Sequence, residues 1–499
     1  MKKIVSLALV LGAGLLACSE EAKDAANDNA TPPPASSNPT PPSGETALDP
    51  LSIPAEPAAG KAMIRAIHAS PDAPAVDIYV KGNSTPVVTN LAYGQTSGWL
   101  EVDAGSYVLE LRAAGAKPTE PVAYVTDAIA LQEGVLVSAV AAGLLASNDT
   151  AASFRVLGVQ ERFSDVPSGI KVRAVHAAPD APAVDLDIGN DAPGKPELAG
   201  LARFATTDGQ IPLPADQALA LGIAAGGARV TAFTTPKLRA GAQVLLVATG
   251  LLGSLPRERD GFALLAVGPN GSVGFIKQDP TVYALHASPD APAIDIFAGA
   301  AELADNLSFG QLSRPIQVSP GSYALDFFGT TAGAERPKGE PAASASTGEL
   351  VAGERYLAEA TGFLGQKKLQ LVAYRDGFER DALKPRLRAV HASPDAPAVD
   401  VGTLTAQGAI DTVLFPDLTF TRASAETGLG ADAGHLVVGV APTRTAHPVA
   451  TFTIPAAAGQ RAFAVAAGAL APTGNQAFFR FLVVDTSASP WTVSPVHAH

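Results

Sequence analysis

Residues 68–77 read HASPDAPAVD, and the segment returns as HAAPDAPAVD at 176–185, HASPDAPAID at 286–295 and HASPDAPAVD at 391–400. The histidines His68, His176, His286 and His391 are spaced by 108, 110 and 105 residues, and 108 residues follow the last. Each interval can hold a core of its own, so the chain reads as a tandem array of four domains.

Within the segment, Ser70-Pro71-Asp72-Ala73-Pro74 is a turn: Pro71 presets one torsion and Pro74 stiffens the exit. Val76, Ile78 and Val80 then alternate inward along a strand, which turns Asp77 to the opposite face. The plain reading is a structural staple. His68 donates a ring N–H to Asp77 or to a turn carbonyl, and Asp72 accepts backbone N–H groups within the turn, for about 1–3 kcal/mol. The same roles fall to Asp180 and Asp185, Asp290 and Asp295, and Asp395 and Asp400.

Two sharper readings compete. A metal could use His68, Asp72 and Asp77, but these lie close together across two prolines, and zinc sites recruit ligands from elsewhere in the chain. Calcium takes oxygen ligands and has no use for histidine. A Ser–His–Asp nucleophile conflicts with Ala178, which stands where the first copy has Ser70. G-x-S-x-G, H-E-x-x-H, Walker and Rossmann patterns are missing from the sequence. The expectation is therefore no catalytic residue, no metal site and no cofactor.

Outward from the segment the chain reads as all-β. Short apolar segments recur every 8–12 residues between Gly, Pro, Asp and Asn. In the first repeat strands are predicted near 64–69, 75–81, 97–103, 106–113, 121–130, 135–142 and 153–160. Seven such strands fit an immunoglobulin-like β-sandwich. Each repeat has a turn glycine (Gly134, Gly241, Gly353, Gly459) and, nine residues on, a second (Gly143, Gly250, Gly362, Gly468) that marks a bulge or strand end. Tyr93, Phe204, Phe309 and Phe420 are expected as core anchors between the sheets. Four domains in line would reach about 140 Å.

The HASPDAPAVD segment, LAYGQ and LSFGQ, the strand starts AGSY and PGSY, and the A-x-G strand end together resemble a bacterial envelope family, the domain-of-unknown-function family numbered 4397. The resemblance runs over all four repeats, essentially 61–499. Gln217 and His435 depart from the pattern where the other repeats have Tyr107 and Tyr323. It implies a β-sandwich module of exported or surface proteins, often in tandem, and brings no activity and no catalytic residues.

The N-terminus supplies an address. Met1-Lys2-Lys3 is basic, and Ile4 to Ala17 is apolar but about half as long as a bilayer-spanning helix, as in a secretory signal peptide. Leu15-Leu16-Ala17-Cys18 resembles the lipobox of bacterial lipoproteins, which implies cleavage before Cys18 and acylation of its thiol. Cys18 is the single cysteine of 499 residues, so no internal disulfide forms. Residues 19–60, rich in Pro, Ser, Thr, Asn and acidic side chains, have almost nothing to bury and read as a disordered tether, about 35 Å on average and about 120 Å drawn out. The expected division is signal peptide 1–17, tether 18–60, and sandwiches 61–167, 168–279, 280–383 and 384–499.

Lys plus Arg is 35 against 48 for Asp plus Glu, a formal net charge of −13, which argues against nucleic acid as a partner. The functional expectation is a non-catalytic lipoprotein of the bacterial cell envelope. It would be held to the membrane through Cys18 and act as a spacer, adhesion or binding module, with an envelope protein or glycan as partner. The alternative is a metal-dependent binder or enzyme that uses the His–Asp corner.

Overall fold

A parallel pair of strands lies at the centre of each repeat. In the first, β1 (Lys61–His68) pairs in parallel with β9 (Leu136–Ala142), from Met63 opposite Leu136 to His68 opposite Ala141. β4 (Leu100–Asp103) and β10 (Arg155–Gln160) flank the pair antiparallel. The facing sheet has the order β3 (Val88–Leu91), β2 (Val76–Val80), β6 (Leu109–Ala113), β7 (Tyr124–Val125). A two-stranded piece, β5 (Gly105–Tyr107) with β8 (Ile129–Leu131), completes the repeat. Each expected strand has a counterpart, but 106–113 divides into β5 and β6 and 121–130 into β7 and β8, whose halves belong to different sheets, and the short β3 is an addition.

The structure is a computed structural model and describes residues 56–499 apart from 118, 162, 164–168, 272, 332, 334, 367, 381 and 382. The expected signal peptide, Cys18 and the expected tether up to residue 55 lie outside the described residues, among which there is no helix. The two-sheet plan recurs over 170–277, 281–375 and 386–496, so the chain is all-β, a tandem array of β-sandwiches. The second and fourth sandwiches add a fifth strand, Val273–Lys277 and Thr492–Val496, to the sheet holding the parallel pair.

The tyrosines that set repeats one and three apart form tyrosine corners, a recurring device of immunoglobulin-like sandwiches. Tyr107 donates to Asp103 O at 2.8 Å and Tyr323 to Ser319 O at 2.7 Å.

The central strands are apolar on both faces because both faces are buried, as parallel pairs generally are. Ala62, Ile64, Val137 and Ala139 point into the first sandwich. Ile67, Val140 and Ala142 point the other way and meet Val175, Leu245, Val247 and Leu265 of the second sandwich in one cluster. In the same manner Leu285, Leu357 and Phe378 of the third meet Val390, Phe463, Val465 and Trp491 of the fourth. Each such fully buried side chain contributes about 1.5–3 kcal/mol. The domains are therefore not strung in a line: the first packs sheet to sheet on the second, and the third on the fourth.

The contacts between second and third sandwiches are polar. Gln317 Nε2 donates to Thr231 Oγ1 and to Asp279 O, both at 3.1 Å, and Thr234 Oγ1 to Ser319 Oγ at 3.0 Å. Arg380 pairs with Glu258 at 2.5 Å, and Arg257 donates to Asp376 O.

Candidate functional site: the repeated corner

The decapeptide is the crossover between the two sheets of a sandwich. β1 ends at His68 in one sheet and β2 begins at Val76 in the other. His68 is fully buried, and its Nε2–H donates to Pro74 O at 3.0 Å, closing the turn on itself. The other copies repeat the bond: His176 to Pro182 O at 2.8 Å, His286 to Pro292 O at 3.0 Å, His391 to Pro397 O at 2.9 Å. The proton thus sits on Nε2, and Nδ1 of all four rings is buried without a partner.

Within its own turn Asp72 meets only the Ser70 hydroxyl, at 3.3 Å, and takes its backbone N–H groups from elsewhere. Its two oxygens accept the N–H groups of Leu145 and Ala146 at 2.8 and 2.9 Å, in the loop that leaves β9 after Gly143. Asp180 takes Leu252 and Gly253, Asp290 takes Leu364 and Gly365, and Asp395 takes Leu470 and Ala471 in the same way. Ser70 adds a bond to Gly143 O at 2.7 Å and Ser288 one to Gly362 O at 2.6 Å; Ala178 forgoes it. The strand-ending glycine is required here. Gly143 has φ +82°, and an added Cβ would strike the backbone of Ser153.

Asp77 does not reach His68 either. It accepts the N–H of Asn90 at 2.7 Å and of Gly115 at 2.9 Å, both residues in the left-handed region, with φ of 52° and 77°. Asn90 lies in β3, whose register against β2 shifts between Val76 and Ile78. A carboxylate that takes the amide of a left-handed residue holds such a bulge in place. Asp295 holds Asn306 and Thr331, Asp400 holds Asp417 and Arg444, and Asp185 holds Gly200.

The corner is thus a staple, but with its partners redistributed. The histidine ties the turn, the first aspartate ties the turn to the end of β9, and the second ties the edge of the other sheet. The apolar slot between the sheets of the first sandwich is lined by Ile64, Ile78, Val88, Leu100 and Tyr107, and the corner side chains take no part in it. His68, Asp72 and Asp77 therefore present no converging set of ligand atoms. Among the described residues, Asp295, Glu302 and Asp305 bring oxygens within 4.8 Å of one another, but both oxygens of Asp295 already accept backbone N–H groups.

The aromatic residues are not core anchors between sheets. The rings of Tyr93, Phe309 and Phe420 stand edge-on to the corner histidines, with centroids 6.2–6.4 Å apart. Tyr93 reaches Phe275 of the second sandwich at 5.5 Å, and Arg480 of the fourth lies over Phe309. Phe204 is out of step. Its N–H bonds to His176 O as that of Gly94 does to His68 O, so Arg203 is the residue that corresponds to Tyr93. Phe204 takes the left-handed position, φ +62°, and its ring lies under Arg155 of the first sandwich.

Three residues before each histidine stands a side chain that sequence reasoning missed. Arg65 donates across to Gly268 O at 2.7 Å, Arg173 to Gln160 O, Arg388 to Arg375 O at 2.5 Å, and the Tyr283 hydroxyl meets Ser489 Oγ at 3.3 Å. Each reaches the neighbouring sandwich of its pair. Thr249 and Thr361, just before the second glycine, donate to Ala69 O and Ala392 O, the carbonyls that follow His68 and His391. The corner therefore belongs to the pairing surface as well as to the sandwich.

Residues 62–187 and 280–402 match the model of a family described as Domain of unknown function (DUF4397). Two separate stretches of the chain are thus similar to this family, which supports a repeated architecture of that kind. Each match runs through one sandwich and into the first two strands of the next, so it holds two decapeptides; the second and fourth sandwiches lie otherwise outside the matched stretches. No curated protein matches the chain. Among solved structures, the Bacillus anthracis TIE protein is 8% identical over 82% of this chain and 68% of its own, with a TM-score of 0.13, which carries no argument.

Burial, partly offset by the bond to the proline carbonyl, pushes the imidazoles of His68, His176, His286 and His391 below the ordinary histidine value. A histidine neutral when folded and protonated when unfolded contributes stability that is complete above pH 6.5 and is lost as pH falls below it. Acid should therefore loosen all four corners, with a slope approaching about 1.4 kcal/mol per pH unit for each histidine. Denaturant unfolding between pH 5 and 7 checks this, and His→Gln at a corner should flatten the slope.

Proposed function

We propose that this chain is a non-catalytic module of the bacterial cell envelope, exported and anchored through lipid on Cys18, that spaces, adheres or binds at the cell surface. The observation that carries the reading is how the repeated polar residues are used. In each corner the imidazole N–H and the oxygens of the first aspartate are bonded to backbone, and side chains beside the corner reach the neighbouring sandwich. Residues employed in this way keep a fold in shape and leave no converging group for chemistry. A tandem array of sandwiches after a long polar tether suits a part that must stand away from a membrane and present surface. The acidic balance of the chain supports a protein or glycan partner rather than nucleic acid.

Cys18→Ser is expected to abolish acylation, so that the protein is released or accumulates as uncleaved precursor. A variant that still fractionates as a mature membrane protein would refute the anchor. Capture of envelope components by the soluble chain, with and without added divalent cation, separates this reading from a metal-dependent binder: the bound set should be the same in both.

A further inference from the structure

Three residues before the second glycine of each repeat stand Val140, Val247, Glu359 and Val465. All four are fully buried, and the valines belong to the clusters that join the sandwiches in pairs. Glu359 occupies the same place on the strand Arg355–Thr361, whose neighbours Leu357 and Thr361 face the fourth sandwich. Neither oxygen of its carboxyl has a hydrogen-bond partner, and the proton of the nearest hydroxyl, Thr361, is given to Ala392 O. One joint of the molecule is thus closed by valine from both sides, and the other by valine from one side and a carboxyl from the other.

We propose that the joint between the third and fourth sandwiches is gated by pH, with Glu359 as the latch: closed while the carboxyl is protonated, and opening as it ionises.

An ionised carboxylate in this position would have no cation beside it and no donor beyond the hydroxyls of Thr361, already turned to Ala392 O, and Tyr374. Of the ionisable groups on the elements packed around it, Tyr283 is bonded to Ser489, His286 to Pro292 O and His391 to Pro397 O. Arg388 is bonded to Arg375 O and Ser424 O, Arg355 to Asp376, Arg375 to Glu354, and Arg461 to Ser487 O. Across the interface strand, Arg480 lies over Phe309, and Asp485 accepts from Gln460 and Ser487. Tyr374, whose hydroxyl is buried without a partner, is the ionisable group that interacts with Glu359; burial together with Glu359 holds that phenol protonated against the smaller opposite pull of Arg388 and Arg422.

Burial pushes the Glu359 carboxyl up to about 8. In the open joint it returns to the ordinary range. The open form therefore binds fewer protons between those two values, and the opening constant rises about tenfold per pH unit until the closed form ionises as well. The corner histidines act with the opposite sign and only below pH 6.5, so the window from pH 6.5 to 8 belongs to Glu359.

Native-state hydrogen exchange of the full chain at pH 6.5 and 8, corrected for intrinsic rates, tests the proposal. Protection in the strands Arg355–Thr361 and Arg461–Ala467 should fall about fifteenfold over that range, since the closed form is itself half ionised at its upper end. It should be flat in Glu359→Val, which copies the other repeats, and in Glu359→Gln, which keeps the shape without the charge. The joint between the first and second sandwiches, closed by Val140 and Val247, serves as the internal reference and should show no such fall. A wild-type protein without the fall, or variants that keep it, would overturn the proposal.

Discussion

Arg65→Met is expected to destabilise the first sandwich by about 3–5 kcal/mol, the usual cost of leaving one member of a buried ion pair alone. The guanidinium is fully buried and meets Glu161 Oε1 at 2.5 Å through Nη2 and at 3.0 Å through Nε. It also donates to Ser138 Oγ at 2.7 Å and lies 4.5 Å over the ring of Trp99. Methionine fills much of the volume but leaves the Glu161 carboxylate buried with only the Ser138 hydroxyl. The loss should be largely recovered in Arg65→Met with Glu161→Leu, because replacing a whole buried pair by apolar side chains is close to neutral. The bond to Gly268 O stays lost in both variants, and the first joint should open more readily in each. Hydrogen exchange in the strands of the first two sandwiches reads both effects. Equal losses in the single and the double variant would mean that the guanidinium acts through the joint rather than through Glu161.

The same arginine shows where reading the sequence succeeds and where it stops. The sandwiches were legible because strands, turns and the repeated decapeptide are local signals. The second glycine was legible as a strand end, since nothing but glycine tolerates that torsion against the backbone of the following loop. The pairing was not recognised. A strand buried on both faces reads as a continuous apolar run, and such a run alone does not tell a thin core from a second interface. A signal was present: MIRAIH, KVRAVH, TVYALH and RLRAVH each place one polar or aromatic side chain in the middle of an apolar strand. A charge there needs partners, and its own sandwich supplies only some of them: Arg65 has Glu161 at home but takes Gly268 O from the next domain.

The corner failed in a different way. Its residues were identified, and a turn carbonyl was one of the two partners expected for His68, but the partners of the aspartates were not, because Asp72 bonds to amides 73 and 74 residues away. Likewise Tyr93, Phe309 and Phe420 look like core aromatics until the histidine edge and the neighbouring sandwich are both in place. Phe204 lined up with them by residue type while its backbone occupies the position of Gly94.

Asp77→Ala is expected to cost about 3 kcal/mol, because it removes two hydrogen bonds to a charged group at once. The site is 6% exposed, so the amides of Asn90 and Gly115 find little water to replace the carboxylate. Both residues are held in the left-handed region, and the bulge in β3 should relax when its anchor goes. Asp77→Asn keeps one acceptor oxygen and should recover roughly half of the loss. His68→Ala removes a different bond, the one that closes the turn on Pro74 O, and should cost about 1–3 kcal/mol. The two side chains share no partner and hold different segments, so the double variant should equal the sum of the singles to within about 0.5 kcal/mol. A coupling above about 1 kcal/mol would instead bind them into one unit, as a shared metal ion would. EDTA separates the causes: the melting temperature of the wild-type protein should not respond to it. A fall that disappears in His68→Ala would turn the corner from a staple of the fold into a metal site.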